Sequence, residues 1–395
     1  MTPERHLKVS GQKVLIIGPQ APPYGGMALQ GAMLERLLRA DGMSVVFFPS
    51  NLAFPPGLRF VDRIRGFRPF ARSILTSIKL WGKIRQVDVV HILACSRLYF
   101  FLVVAPAVIL SRMRRKRVIL NYRSGDAKQF FRRYKWIVKP FFLLADSVTA
   151  PSGFLVEAIQ ESFKILVSTV PNIVDFSAFQ YRERKQLQPR MLVTRHLEKL
   201  YDVELVLRAF RRIQERYPQA SLDIAGTGSE EQRLRAVVAT WRLQNVRFLG
   251  HVLHRDLPAI YDRCDILLNG SRVDNFPASL MEASASGLVV ISTKAGGIPF
   301  IYQDGKNAIL VELGDWEALA AGVERVLAEP SLGQRLASEA VQLSGQCDWQ
   351  NVRRLLYQSY GFGLPEDVAN IRKDEPVRLA AVANTVRTSS MEGSS

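Results

Sequence analysis

Cysteine is scarce in this 395-residue chain: Cys95, Cys264 and Cys347 are far apart and odd in number. They offer neither a disulfide framework nor a metal-ligand spacing, which fits a reducing compartment. Histidine is nearly as rare, with His6, His91, His196, His251 and His254 in the whole chain, and no Asp-x-Asp pair occurs. Neither a bound metal ion nor a cofactor is therefore expected. Long apolar runs are missing too. The longest, residues 98–110, is interrupted by Pro106, and a membrane span needs about 20 residues. It reads as a buried or interfacial helix. Residues 1–11 are polar, with no pattern of a secretory signal. The expected location is cytoplasmic.

Acidic residues are in short supply in one half only. The net charge is +17, from 53 Lys and Arg against 36 Asp and Glu. Residues 1–190 hold 30 basic and 11 acidic side chains, and the rest of the chain 23 and 25. A one-sided field of this kind draws anionic partners: nucleic acid, acidic lipid surfaces or acidic small molecules. With 48% hydrophobic residues, the chain is otherwise ordinary for a protein with a sizeable core.

What is present is a repeated alternation of short β-branched runs and amphipathic segments. Strands are expected at 13–17, 44–48, 87–93, 117–122, 147–150 and 166–170. A second series follows at 190–194, 220–225, 246–249, 265–269, 288–292 and 308–311. Strand–helix alternation predicts parallel sheets covered on both faces. Between the two series, residues 171–189 lapse into a polar stretch, and the charge imbalance ends there. The predicted fold class is α/β: two doubly wound domains, 1–180 and 181–345, then a helix at 346–362 and a polar tail at 363–395.

In such sheets ligands bind beyond the carboxyl ends of the strands. After the first strand comes Gly18-Pro-Gln-Ala-Pro-Pro-Tyr-Gly25-Gly26 and then a helix. Gly25 and Gly26 would let backbone approach a ligand, with free N–H groups at the helix start for an anion. An ordinary loop needing positive φ is the alternative. The absence of a GxGxxG fingerprint and of a Walker lysine argues against nicotinamide cofactors and nucleotide hydrolysis. The strongest signal is Asp274-Asn275-Phe276-Pro277-Ala278-Ser279-Leu-Met-Glu282, running on to Gly287 and to Gly296-Gly297. Pro277 suits the first turn of a helix, Asp274 or Asn275 its cap and Gly287 its C′ position. Three or four unpaired N–H groups around Phe276–Ser279 would then meet a diphosphate. Glu282 inside the helix has the chemistry to bind both hydroxyls of a ribose, and a solvated Glu with a capping Asp is the alternative.

These residues resemble the signature of the retaining, GT-B-fold glycosyltransferases of family 4 (glycosyl transferases group 1), in which two acidic residues lie eight apart ahead of a small-residue helix. The resemblance runs along nearly the whole chain. It takes in Gly25-Gly26, the interdomain motif Val170-Pro-Asn172-Ile-Val-Asp175, the turn Gly226-Thr-Gly228-Ser-Glu230, the base-holding loop Gly250-His251-Val252, and Cys347-Asp-Trp349 at a helix that crosses back to the N-terminal domain. Asp274 stands where the family usually has Glu. Arg195 matches the phosphate-binding Arg, but Tyr201 falls where a Lys is usual, and Lys199 lies two positions early. Arg123 follows the fourth strand where a His is frequent, and its pKa is too high for a general base.

The resemblance implies two Rossmann-like domains facing across a cleft and transfer of a sugar, with retention, from a UDP- or GDP-linked donor. Charge on the leaving diphosphate would be met by Arg195, Lys199, the helix start at 276–279 and the Gly25–Gly26 amides. Val252 and Asn275 would line the donor pocket, Glu282 would hold the ribose, and Asp274 and Arg123 would act at the reacting sugar. The acceptor domain carries the entire basic excess. Basic residues mix with aromatics at 59–85, and five follow the apolar run at 112–117, a composition suited to a bilayer interface. A lipid-linked glycan or polysaccharide precursor on the cytoplasmic face of an anionic membrane is the expected acceptor. A sugar-nucleotide epimerase is one alternative, although the histidines do not cluster with carboxylates as it would need. A basic nucleic-acid-binding module is the other, and no nucleic acid partner is expected.

Overall fold

The computed structural model describes residues 11–21, 25–52, 54 and 68–362. The expected basic positions Arg59, Arg63 and Arg65 and the tail from 363 lie outside the described residues. The described residues fall into two units, one running to Ile173 and resuming at Val352, the other spanning Val174–Asn351.

The first unit alternates β1 (Lys13–Gly18), α1 (Gly26–Ala40), β2 (Ser44–Pro49), α2 (Arg68–Ile84), β3 (Val89–Ala94), α3 (Ala105–Met113), β4 (Arg117–Tyr122), α4 (Ala127–Leu144), β5 (Ser147–Ala150), α5 (Gly153–Phe163) and β6 (Ser168–Thr169). Its sheet is parallel, in the order β2-β1-β3-β4-β5-β6. The apolar run that begins at Leu98 becomes a π-helical turn (Phe100–Val104) leading into α3, with Pro106 in the first turn of α3. The chain is already helical there, so the proline leaves the Leu102 carbonyl without its helical N–H partner, and the Ser73 hydroxyl of α2 donates to it at 2.5 Å.

The second unit repeats the plan with β7 (Arg190–Thr194), α6 (Val203–Arg216), β8 (Ser221–Ala225), α7 (Glu231–Thr240), β9 (Val246–Gly250), α8 (Leu257–Arg263), β10 (Ile266–Asn269), α9 (Ala278–Ala285), β11 (Val289–Thr293), β12 (Ile309–Val311), α10 (Trp316–Ala328) and α11 (Pro330–Ser344). Its parallel sheet runs β12-β11-β10-β7-β8-β9. Successive side chains of a strand point to opposite faces, so continuous apolar strands feed two cores. On β10, Ile266 and Leu268 enter one cluster and Leu267 the other; on β11, Val289 and Ile291 part from Val290 in the same way. The architecture is α/β, with two Rossmann-like domains.

The division falls at Ile173/Val174, near the boundary expected at about residue 180. From Val174 on, the polar stretch between the two strand series belongs to the second unit. Arg184 is buried there and donates to Asp265 Oδ1 (3.0 Å) and to the carbonyls of Cys264 (2.9 Å), Tyr261 (3.0 Å) and Ser286 (2.6 Å). Charge alone does not mark a linker when carbonyls and a carboxylate wait for it.

The last helix, α12 (Trp349–Tyr360), lies from Val352 onward in the first unit. Tyr357 donates to Asp41 at the end of α1, which also pairs with Arg353 at 3.6 Å. Arg117 of β4 reaches the Ser359 carbonyl at 3.4 Å. Tyr360 meets His91, a core residue at the centre of β3, with 2.8 Å between its hydroxyl and Nδ1. Burial, aided by the Arg123 charge, lowers the His91 pKa to about 3.

The imidazole is therefore neutral when folded and takes up a proton only on unfolding. The corresponding stability is complete above the unfolded value near 6.5 and is lost as pH falls toward about 3. At about 1.4 kcal/mol per pH unit, the loss reaches ~2 kcal/mol at pH 5. Urea unfolding at pH 7 and pH 5 should show a smaller acid loss for His91→Gln than for the parent. Equal losses would remove His91 from the account.

Candidate functional site

In the second unit the polar residues collect at the carboxyl ends of β7, β10 and β11. Arg195 directly follows β7, its N–H bonded to the Ala225 carbonyl at 3.1 Å. Its Nε donates to Asn269 Oδ1 (3.1 Å) at the end of β10, and its guanidinium stands 2.6 Å from Asp274 Oδ2. The Arg195–Asp274 contact is an ion pair whose angle falls outside hydrogen-bond geometry. Both side chains are close to nine-tenths buried, at 12% and 11% exposure. Asn269 is fixed in turn: it accepts from the Ser271 hydroxyl (2.7 Å) and donates to the Ser292 hydroxyl (2.9 Å).

Asp274 is positioned through its backbone by the glycine loop after β11. Gly297 N–H donates to the Asp274 carbonyl at 2.7 Å. Gly296 has φ +52°, and a Cβ there would come within 2.1 Å of that same carbonyl. Only glycine fits so close an approach in this backbone region.

Helix α9 begins one residue later than the sequence suggests. Pro277 is the N-cap, in extended conformation, and no side chain caps the helix, so neither Asp274 nor Asn275 holds that place. The helix's own bonding starts with Leu280 N–H to the Pro277 carbonyl (3.2 Å), which leaves the N–H groups of Ala278 and Ser279 ahead of it. Phe276, Leu280 and Met281 are buried and seat the helix against the sheet. At its far end Gly287 takes φ +80° and returns N–H to the Ser284 carbonyl (2.9 Å), the left-handed stop its sequence position suggested.

Glu282 is buried in the second turn of α9. Tyr261 of α8 donates to its Oε2 at 2.9 Å, and His254 Nε2 lies 3.3 Å from Oε1. Complete burial, with the Glu282 charge beside it, pushes the Tyr261 hydroxyl well above the ordinary phenol range. Tyr261 thus stays protonated and able to donate. The sequence reading missed Tyr261, Asn269 and His254. A Tyr in a seven-residue helix carries no signal of its own; only the fold places it under Glu282. Val252 follows β9 and packs, half-buried, against the cluster that holds Phe276.

Lys199 is not brought to this cluster. It is exposed and lines a cavity of about 620 Å3 with Glu198, Asp202, Arg208, Arg233 and Arg272. Tyr201 takes its place, with its ring 5.3 Å from the Arg195 guanidinium carbon. A short helical turn over Lys199–Tyr201 produces this exchange, closed by Asp202 in the left-handed region at φ +42°.

In the first unit, Gly25 is the N-cap of α1 with φ −151°, and no side chain caps that helix. Among the described residues, nothing lies within 4 Å of where a Cβ would stand on Gly25 or Gly26. The positive-φ reading of this loop is therefore overturned: neither packing nor backbone strain requires these glycines. Arg123 follows β4 and donates to the side-chain carbonyls of Asn121 (3.3 Å) and Asn172. Burial lowers its pKa to about 10, so it stays charged at neutral pH. Gln30 of α1 grips Ile173 by both backbone groups, at 2.7 and 2.9 Å. Among the described residues no group of three or more His, Cys, Asp or Glu is placed to hold a metal ion.

Comparison with known proteins follows this division of the chain. Residues 24–178 match the family model Glycosyltransferase Family 4, and residues 177–343 match Glycosyl transferases group 1. A glycogen synthase of Mycobacterium tuberculosis is 28% identical over 235 residues, 57% of this chain and 55% of that protein. A component of the human phosphatidylinositol N-acetylglucosaminyltransferase is 27% identical over 193 residues, 47% of this chain and 39% of that one. The chain thus matches about half the length, or less, of these curated relatives. The crystal structure of Anabaena HepE in complex with UDP and glucose superposes with a TM-score of 0.68 at 16% identity, covering 88% of this chain and 99% of that one. Matched in both halves by these family models and over most of its length by a solved structure of the same fold, the chain belongs to the GT-B glycosyltransferases of family 4.

Proposed function

We propose that the protein transfers a hexose, with retention of anomeric configuration, from a UDP- or GDP-linked donor to a lipid-linked glycan or polysaccharide precursor. The observation that carries this reading is the convergence of Arg195, Asp274 and Glu282 on the start of α9. In it, Glu282 accepts from both ribose hydroxyls, oriented by the Tyr261 hydroxyl. Arg195 and the N–H groups of Ala278 and Ser279 take the diphosphate, whose charge grows as the sugar leaves. Asn275, Phe276, Pro277 and Val252 line the donor pocket, and Asp274 faces the transferred sugar. On the first unit, the uncapped start of α1 at Gly25–Gly26 is a further contact for donor phosphate. Arg123 binds anionic donor or acceptor as a permanent cation and takes no proton. The nucleotide sugar is a substrate, and the reading needs neither cofactor nor metal ion.

The human relative belongs by name to an enzyme acting on phosphatidylinositol, and HepE was solved with UDP and glucose; both support the choice of substrates. Among the described residues no helix is long and apolar enough to cross a membrane. We place the protein at a membrane surface, on its cytoplasmic face, as a peripheral enzyme. Nothing in the comparisons favours an epimerase or a nucleic-acid-binding module.

Calorimetric titration and turnover with a panel of UDP- and GDP-sugars test the donor site. Glu282→Ala and Arg195→Ala should each weaken donor binding by about 2–5 kcal/mol, the cost of removing a buried charged partner. That is roughly 30-fold to several thousandfold. Unchanged affinity in both would refute the assignment. Asp274→Asn should depress turnover more than nucleotide binding; equal losses would make Asp274 a structural partner of Arg195 only.

The glycines of α1 supply a separate test. Because no atom of the described residues crowds their missing Cβ positions, Gly25→Ala and Gly26→Ala should leave the melting temperature within a few degrees of the parent. Donor KM should rise, since a methyl group would stand where backbone meets phosphate. An unchanged KM in both would exclude α1 from the donor site.

A further inference from the structure

The helices α2, α3, α4 and α5 all bury side chains in a single cluster on one face of the first unit's sheet, among them Leu80, Val108, Phe142 and Leu155. Their outer sides form one layer. Three of these helices share an unusual composition. Four Lys or Arg lie on α2, one on α3 and five on α4, and none of the three carries an Asp or Glu. Acidic residues return only with Glu157 and Glu161 on α5, where Glu161 is 3.8 Å from Lys128. The carboxylates that flank α4 are already engaged, Asp126 by Arg97 at 2.8 Å and Asp146 by Arg112 at 2.9 Å.

The same layer exposes large apolar side chains. Ile74 and Ile78 stand one turn apart on α2, at 61% and 68% exposure, and Met113 ends α3 at 64%. The second half of α4 goes further. Trp136 is 79% exposed, and Ile137 and Leu143 are each 58% exposed. The helix kinks at Tyr134, whose backbone leaves helical geometry, and Pro140 has no N–H to return to the Trp136 carbonyl. Lys135 and Lys139 alternate with these apolar residues along the kinked half. An indole at the surface, aliphatic neighbours and flanking ammonium groups on long stems suit the boundary between headgroups and acyl chains.

We propose that the α2–α3–α4 layer is a docking surface for an anionic bilayer, with the 135–144 half of α4 as the element that enters the interface. This deepens the membrane reading given above and rests on it. A two-fold contact of this face with a second copy would oppose like charge to like charge, with no carboxylate on the three helices to relieve it. Single-stranded nucleic acid needs successive aromatic platforms for its bases, and among the large apolar side chains exposed on these three helices only Phe70 and Trp136 are aromatic, each on a different helix.

Vesicle sedimentation of the full chain tests the proposal, using phosphatidylglycerol–phosphatidylcholine mixtures against pure phosphatidylcholine at low and high salt. Binding should require the anionic lipid and weaken with salt. Lys135→Glu with Lys139→Glu should lower the partition coefficient more than about tenfold. Trp136→Ser with Ile137→Ser should lower it comparably at both salt levels. Arg255→Glu, exposed on the second unit, should leave it unchanged. Trp136, Ile137 and Arg255 are exposed and Lys135 and Lys139 half-buried, and equal melting temperatures will show that the variants fold. Donor hydrolysis measured without vesicles should be the same in every variant. Absence of binding to anionic vesicles, or binding that ignores both α4 double variants, would overturn the proposal. So would self-association or nucleic-acid binding, without lipid binding, that the double variants abolish. If vesicle binding follows α4 while no nucleotide sugar is turned over, the transferase reading fails and the docking surface stands.

Discussion

One buried carboxylate organises the second unit. Asp265 has no exposed surface and sits just before β10, where three arginines and a backbone N–H converge on it. A buried charge of this kind is expensive unless every lone pair is met. Arg190, Arg184 and Arg182 meet it from the side, and Gln188 N–H adds a bond of 2.9 Å. The donors left over on Arg184 bind the carbonyls at the ends of α8 and α9. One ionic knot therefore fixes where β7 begins, where β10 begins and where α9 stops. The candidate site lies at the opposite ends of these same elements, on Arg195, Asn269 and the first turn of α9.

Much of this was legible in the sequence because it depends on periodicity. Short apolar runs that alternate with amphipathic segments suit doubly covered parallel strands, and each expected strand appears within two residues of its place at both ends. The positions of Glu282 and Gly287 were equally readable, since a helix start, its length and its left-handed stop are all local chemistry. Long-range pairing was not. Arg182 and Arg184 look like linker charges until Asp265, some eighty residues away, is brought to them. Tyr261 and His254 likewise acquire meaning only once α8 is laid against α9.

The exchange of Tyr201 for Lys199 shows how a local conformation overrides a spacing argument. Counting residues leaves either side chain available to Arg195. The three-residue turn at Lys199–Tyr201 allows one, because it sends consecutive side chains in different directions. Asp202 holds the turn closed in the left-handed region and is anchored by Arg272 at 2.7 Å. The ring of Tyr201 then covers the guanidinium without adding charge. The cationic side of this site accordingly rests on Arg195 alone among the residues that contact Asp274.

In the proposed donor site, that arrangement puts more weight on the helix starts than on side-chain charge. Arg195 is already half-neutralised by Asp274, and an anion entering the site has to share the guanidinium with a carboxylate. The N–H groups of Ala278 and Ser279 face no such competitor, since proline at the cap supplies neither a side-chain acceptor nor a donor of its own. The first unit follows the same logic with Gly25, a cap that has no side chain at all. A Ser, Asp or Asn at the Gly25 cap would stabilise α1 by only a few tenths of a kcal/mol, and at either cap its side chain would occupy a donor that a ligand could otherwise use. Neither helix has a side-chain cap among the described residues, and in each the first N–H groups follow the carboxyl end of a parallel strand, where open α/β sheets receive their ligands.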